Sequence, residues 1–136
     1  MNEADLYSQL AERHGHYCPM STLGLRLGIE VVRRLTDVES TDWRFCYQAR
    51  TCAADGIVMA LEQSPLPSAL QVEQLGQHLL LCTSVDGGEL SLSLSANAMR
   101  LAAQYRELDE VDKPQHLEML RTIASEQIID VSGCAS

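Results

Sequence analysis

The apolar positions of this chain change period several times, and the changes mark its elements. Leu6 and Leu10 are four apart with Tyr7 and Ala11 beside them, which predicts a short helix over residues 4–13. Residues 14–20 (HGHYCPM) hold too much glycine and proline for a regular element and read as a loop. Pro19 then suits a helix start, with Ser21 or Thr22 as a cap. Over residues 21–37, Leu25, Gly28, Ile29, Val32 and Leu35 fill one side, joined by Leu27 and Val31. Arg26, Glu30, Arg33, Arg34 and Asp37 form a polar stripe opposite. Gly24 and Gly28 lie four apart on the inner side, where each costs about 1 kcal/mol against Ala. They point either to a backbone or ligand in close approach, or to plain packing against a strand.

Farther on, Trp43, Phe45 and Tyr47 alternate with Arg44, Cys46 and Gln48, so residues 42–50 read as a strand. Residues 52–62 return to helical spacing through Ala53, Ile57, Ala60 and Leu61, and Ser64-Pro65-Leu66-Pro67 stops them. HLLLCTSV (78–85) reads as a buried strand, Asp86-Gly87-Gly88 as a hairpin turn, and ELSLSLS (89–95) as a half-buried strand. Two amphipathic helices follow over 97–109 and 114–126, parted at Asp112-Lys113-Pro114. This order predicts an α+β fold, helices packed on an antiparallel sheet, as one domain over residues 1–130 with a loose tail at 131–136.

Composition narrows the function classes. The 136 residues carry a net charge of −9, with Lys113 the only lysine and the arginines scattered. No basic stripe is available for phosphates, so nucleic acid and anionic membrane surfaces are poor partners. The start, Met1 to Asp5, is acidic with no apolar core behind it, and no stretch reaches membrane-spanning length, so the expectation is cytoplasmic. Five cysteines, widely spaced and with no C-x-x-C pair, argue against a disulfide framework. Each is then a packed thiol, a ligand or a nucleophile.

Two stretches carry the chemistry. His14, His16 and Cys18 stand at i, i+2 and i+4, and converge if the loop is locally extended. Imidazole and thiolate together suit zinc. A distant partner is offered by Cys52, with Asp55 on the same face of the next helix's first turn. A helix N-terminus there favours a thiolate, for ligation or for attack. His14 is either a participant or a loop histidine that orients the others. Asp55 is either an ordinary first-turn acid, an acceptor for a ligand imidazole, or a general base. Cys46 and Cys82 read as packing, Cys134 as inert, and His78 and His116 as surface residues. Tyr17 is a pocket wall or a core aromatic, and Glu30 with Arg34 an ordinary i,i+4 pair.

These residues also carry a resemblance. The run 13-RHGHYCPMSTLGLRLG-28 resembles the opening H-G-H-x-C-P motif and glycine-bearing helix of the FmdE family, which is named for formylmethanofuran dehydrogenase. In the same way, 52-CAADGI-57 resembles that family's C-x-x-D-A-I segment. His14, Gly15, His16, Cys18, Pro19, Gly24, Gly28, Cys52, Asp55 and Ile57 match. Met20 replaces a usual glycine, Gly56 a usual alanine, and 62-EQSPLPSALQ-71 stands where relatives have G-C-T-x-G-x-G-N. The C-terminal zinc ribbon of many relatives is not seen before Ser136. The resemblance implies an α+β fold similar to the glyceraldehyde-3-phosphate dehydrogenase catalytic domain, a dimer, a metal usually taken as zinc, and an association with a molybdenum or tungsten enzyme.

Three functions follow. In the first, His16, Cys18 and Cys52 bind Zn2+, and Asp55, His14 and Cys18 serve chemistry on a small-molecule ligand. In the second, Cys18 or Cys52 is a metal-independent nucleophile or sulfur carrier with His16 as base. In the third, the chain is a non-catalytic partner of an oxidoreductase.

Overall fold

The structure is a computed structural model that describes residues 3–36 and 42–134; of Asp37, in the expected polar stripe, nothing is described. In chain order come α1 (Glu3–His14), α2 (Pro19–Leu35), β1 (Trp43–Tyr47), α3 (Ala53–Glu62), β2 (Leu70–Val72), β3 (Leu79–Ser84) and β4 (Glu89–Leu94). Then follow α4 (Ala96–Arg106), α5 (Lys113–Thr122), a single 3-10 turn (Ser125–Gln127) and β5 (Ile129–Cys134). The α+β class holds. The strands form one sheet in the order β2-β1-β3-β4-β5. Its pairings are antiparallel apart from β1 with β2, which run parallel, so the sheet is mixed.

Strand alternation sorts the sheet's faces. Phe45, Cys82 and Leu90 lie in register across β1, β3 and β4, as do Tyr47, Leu80 and Leu92, and all six are buried. Leu23, Leu27 and Val31 of α2, Ile57 and Leu61 of α3, Ala98 of α4 and Leu120 of α5 join them in the main core. A second cluster forms where Leu6, Tyr7 and Leu10 of α1 meet Leu25, Met59 and Ala60. Two helices, α2 and α3, therefore lie between the sheet and α1, which explains why α2 is apolar over more than one stripe.

Three expectations change. Residues 131–134, expected to be loose, pair with β4 through Val131↔Leu92 and Gly133↔Leu90. The tripeptide Leu70–Val72 is a strand that the sequence pattern did not mark. The polar stripe of α2 is not all solvated: Glu30 is only 7% exposed and bonds Arg33 and Arg34. Arg26 donates to the carbonyls of Leu120 and Ile123, closing the C-terminal end of α5. Among the described residues no helix is long and apolar enough to cross a membrane.

Candidate metal centre

Three helix ends meet at one corner of the molecule. The first is the end of α1, whose last residue is His14, not a loop residue as the sequence suggested. Gly15 follows at φ +94 and its N–H bonds the Ala11 carbonyl at 3.0 Å, an arrangement that stops the helix and turns the chain. His16 lies in the loop beyond. Cys18 is the extended N-cap residue of α2, with Pro19 in the first turn, and its carbonyl accepts from Ser21 Oγ. Cys52 is the N-cap residue of α3.

What sets the two cysteines beside each other is the contact between α2 and α3. A Cβ on Gly24 would lie 2.0 Å from the Ala53 carbonyl oxygen, and one on Gly56 would lie 2.3 Å from the Leu25 nitrogen. A Cβ on Gly28 would lie 2.5 Å from the Ala60 Cβ. The helices touch backbone to backbone, which only glycine permits. Of the two readings of Gly24 and Gly28, close approach is the one seen, and the approaching element is a helix. Gly56, where the alanine of the resembled motif would clash, completes the contact.

One ligand atom from each of His14, His16, Cys18 and Cys52 lies within 4.8 Å of the others. About 3.3–3.8 Å separates the donors of a tetrahedral zinc shell with ordinary bond lengths, so small side-chain rotations would close this set around an ion. His14 shows that the donors fit a metal. Its Nδ1 lies 2.6 Å from Asp55 Oδ2. With Asp55 ionised, Nδ1–H donates to the carboxylate and Nε2 is left with its lone pair. That Nε2 is buried and has no hydrogen-bond partner. A buried imidazole lone pair held in this tautomer by a carboxylate is how a metal-ligating histidine is arranged. The His16 ring packs 4.4 Å from that of His14 but is exposed.

The thiols are less activated than a helix N-terminus alone would make them. Burial, and then the neighbouring Cys18 and Asp55, push the Cys52 thiol up to about 11. Desolvation outweighs the helix-end field expected from the sequence. Burial also pushes Cys82, inside the core, up to about 12. Cys46, off the cluster on β1, is raised by burial and then by Glu73. Cys134 lies in β5.

Other expectations need adjusting. His78 is half-buried against Tyr47, with Nδ1 3.1 Å from the hydroxyl. His116 Nε2–H donates to the Leu101 carbonyl at 2.8 Å, so it ties α5 to α4. Tyr17 is 60% exposed and no core aromatic. Arg13 and Glu62 form an ion pair joining the ends of α1 and α3. Arg121 was missed altogether. Its guanidinium sits 5.2 Å from the Tyr7 ring centroid and 6.0 Å from that of Tyr17, next to the metal cluster. Its spacing from Lys113 and Leu117, i and i+4 in turn, was the one available signal.

Known proteins agree with the motifs. The fold is similar to the crystal structure, at 1.90 Å resolution, of an FmdE-like protein of tungsten formylmethanofuran dehydrogenase from Syntrophus aciditrophicus. The TM-score is 0.64 at 16% identity, over 98% of this chain and 72% of that one. No curated protein matches the chain. The family described as "FmdE, Molybdenum formylmethanofuran dehydrogenase operon" matches residues 13–132, a span that includes every donor of the cluster. On that match the chain belongs to the FmdE family.

Proposed function

We propose that this protein binds one zinc ion through His14, His16, Cys18 and Cys52, and uses it on a small molecule in association with a molybdenum or tungsten oxidoreductase. The observation that carries the metal is the His14–Asp55 pair, which leaves a buried Nε2 with a lone pair facing no protein donor. Two thiolates offset the charge of a dication, and the N-termini of α2 and α3 stabilise those thiolates. His14, Cys18 and Cys52 are anchored by helix ends. The exposed His16 is then the donor that exchanges with water or substrate, giving the open position that catalytic zinc requires. Zinc bound there supplies a Lewis acid for a carbonyl or water. Asp55 holds the His14 tautomer.

A metal-free cysteine nucleophile is less well supported. A thiol raised to about 11 is ionised to roughly one part in ten thousand at neutral pH. The oxidoreductase association rests on the family's description and on the name of the Syntrophus protein.

The test is metal analysis of protein purified without added metal, by plasma mass spectrometry, with the zinc absorption edge measured on the same sample. About one zinc per chain, bound by two sulfurs and two nitrogens, is expected. Protein that is fully folded, free of metal and unable to take up zinc would overturn the proposal.

A further inference from the structure

We propose that a cleft beside the metal centre binds a small organic carboxylate with a planar, apolar body. The cleft encloses about 550 Å³, the size of a small-molecule site, and Tyr17, Tyr105, Lys113, Pro114, Leu117 and Arg121 line it. One face of α5 forms its floor, since Lys113, Leu117 and Arg121 follow each other at i, i+4 spacing. The chain carries a net −9, yet its only lysine and this arginine open into the same cleft.

Both cations are held by aromatic faces. The Lys113 ammonium lies 5.5 Å from the Tyr105 centroid, and Arg121 stacks against Tyr7 and Tyr17. A stacked guanidinium presents its N–H donors edgewise, the geometry that takes a carboxylate with two parallel bonds. The donors of Arg121 are little used. Nη1 donates to Glu118 at 3.3 Å, and Nε is buried without a partner. A carboxylate accepting from Nε and one Nη would satisfy both. Two acids border the cations. Glu110 pairs with Lys113 at 3.0 Å and Glu118 with Arg121, and both reach into solvent. The remaining charge suits a monoanion, and Leu117, Pro114 and the tyrosine rings suit an apolar body.

The cleft adjoins the proposed zinc site, because Arg121 and Tyr17 also wall the narrow gap bordered by His16 and Cys18. An acid held by Arg121 would therefore lie on the His16 side of the metal. None of the four clustered donors lines the cleft itself, so binding there stands or falls separately from zinc.

The experiment titrates the full chain, with and without zinc, with benzoate, benzamide and inorganic phosphate, following backbone amide resonances. Benzoate should give saturable shifts at Tyr17, Tyr105, Leu117 and Arg121, and benzamide should bind at least about tenfold more weakly. Arg121→Gln should weaken benzoate about tenfold or more with zinc content unchanged, and Lys113→Gln several-fold. Benzoate shifts that do not saturate, equal binding of benzamide, or tighter binding of phosphate would each overturn the proposal. So would benzoate affinity unchanged in both variants. If Arg121→Gln fails to fold, Arg121→Lys replaces it, and undiminished affinity there counts against the guanidinium. Zinc stoichiometry is read on the same samples, so lost metal with intact benzoate binding counts against the zinc reading alone.

Discussion

His14 and Asp55 are 41 residues apart in the chain, yet Nδ1 of one lies 2.6 Å from Oδ2 of the other. The histidine side chain is 11% exposed and the carboxylate 55%. The acid therefore reaches inward from solvent to orient a nearly buried ring. Removing it leaves every proposed ligand in place. Asp55→Ala should lower zinc affinity by about 10–100-fold, the usual effect of losing a carboxylate behind a ligating histidine. Competition with a chromogenic chelator measures this. Affinity equal to wild type would show that the pair is only a surface contact.

The four donors predict a sharper loss when one is deleted. Cys52→Ser should strip most of the metal, while Cys46→Ser, outside the cluster, should leave the content unchanged. Plasma mass spectrometry of both variants decides it. Equal metal in the two would remove Cys52 from the ligand set.

Three glycines carry the contact between α2 and α3, and they separate two kinds of cost. Gly24→Ala and Gly56→Ala would drive a methyl into backbone atoms at 2.0 and 2.3 Å, so each should destabilise by about 3 kcal/mol or more. Gly15→Ala meets nothing within 4 Å, and its φ of +94 leaves only a backbone cost of about 1–2 kcal/mol. Urea unfolding of the three variants should show that order.

Alkaline pH should weaken the metal-free fold. Burial leads the rise of Cys52 to about 11, and of Cys82, Tyr7 and Tyr47 to about 12. Each group binds its proton more tightly folded than unfolded. Their contribution is whole below the unfolded values, about 8.5 for thiols and 10 for tyrosines, and is lost as pH climbs toward 11–12. Midpoints of thermal unfolding measured from pH 7 to 11 should fall steadily above about 9.

Zinc uptake has the opposite dependence. Cys52 must release its proton to ligate, so affinity should rise about tenfold per pH unit for that proton, up to about 11. A chelator titration between pH 6 and 8 checks the slope, and a flat profile would contradict thiolate ligation.

Much of this could be read from the residues. The alternation of Trp43, Phe45 and Tyr47 placed β1, and Asp86-Gly87-Gly88 placed the hairpin, whose Gly87 takes φ +94. The two ligand stretches were visible because their residue types are chemically rare. What was hidden depends on partners far along the chain. Leu70–Val72 has no pattern of its own and becomes a strand because β1 offers an edge. Gly133, at φ +98 and with no room for a Cβ beside the Glu89 carbonyl, looked like a tail residue but completes a close pairing with β4. The helical spacing of α1 did not show that it would run on to His14, because its stop is a conformation of Gly15. Arg121 carries no motif, and only the fold brings it to Tyr17.

The backbone contact between α2 and α3 bears on what happens when the metal leaves. In small zinc modules the ion is the organiser, and the chain collapses into disorder once it is chelated. Here the two sulfurs are mounted on helices already locked together by packing elsewhere. The empty coordination shell would persist as a ready-made receptor, able to surrender an ion and reclaim it while the rest of the molecule stays intact.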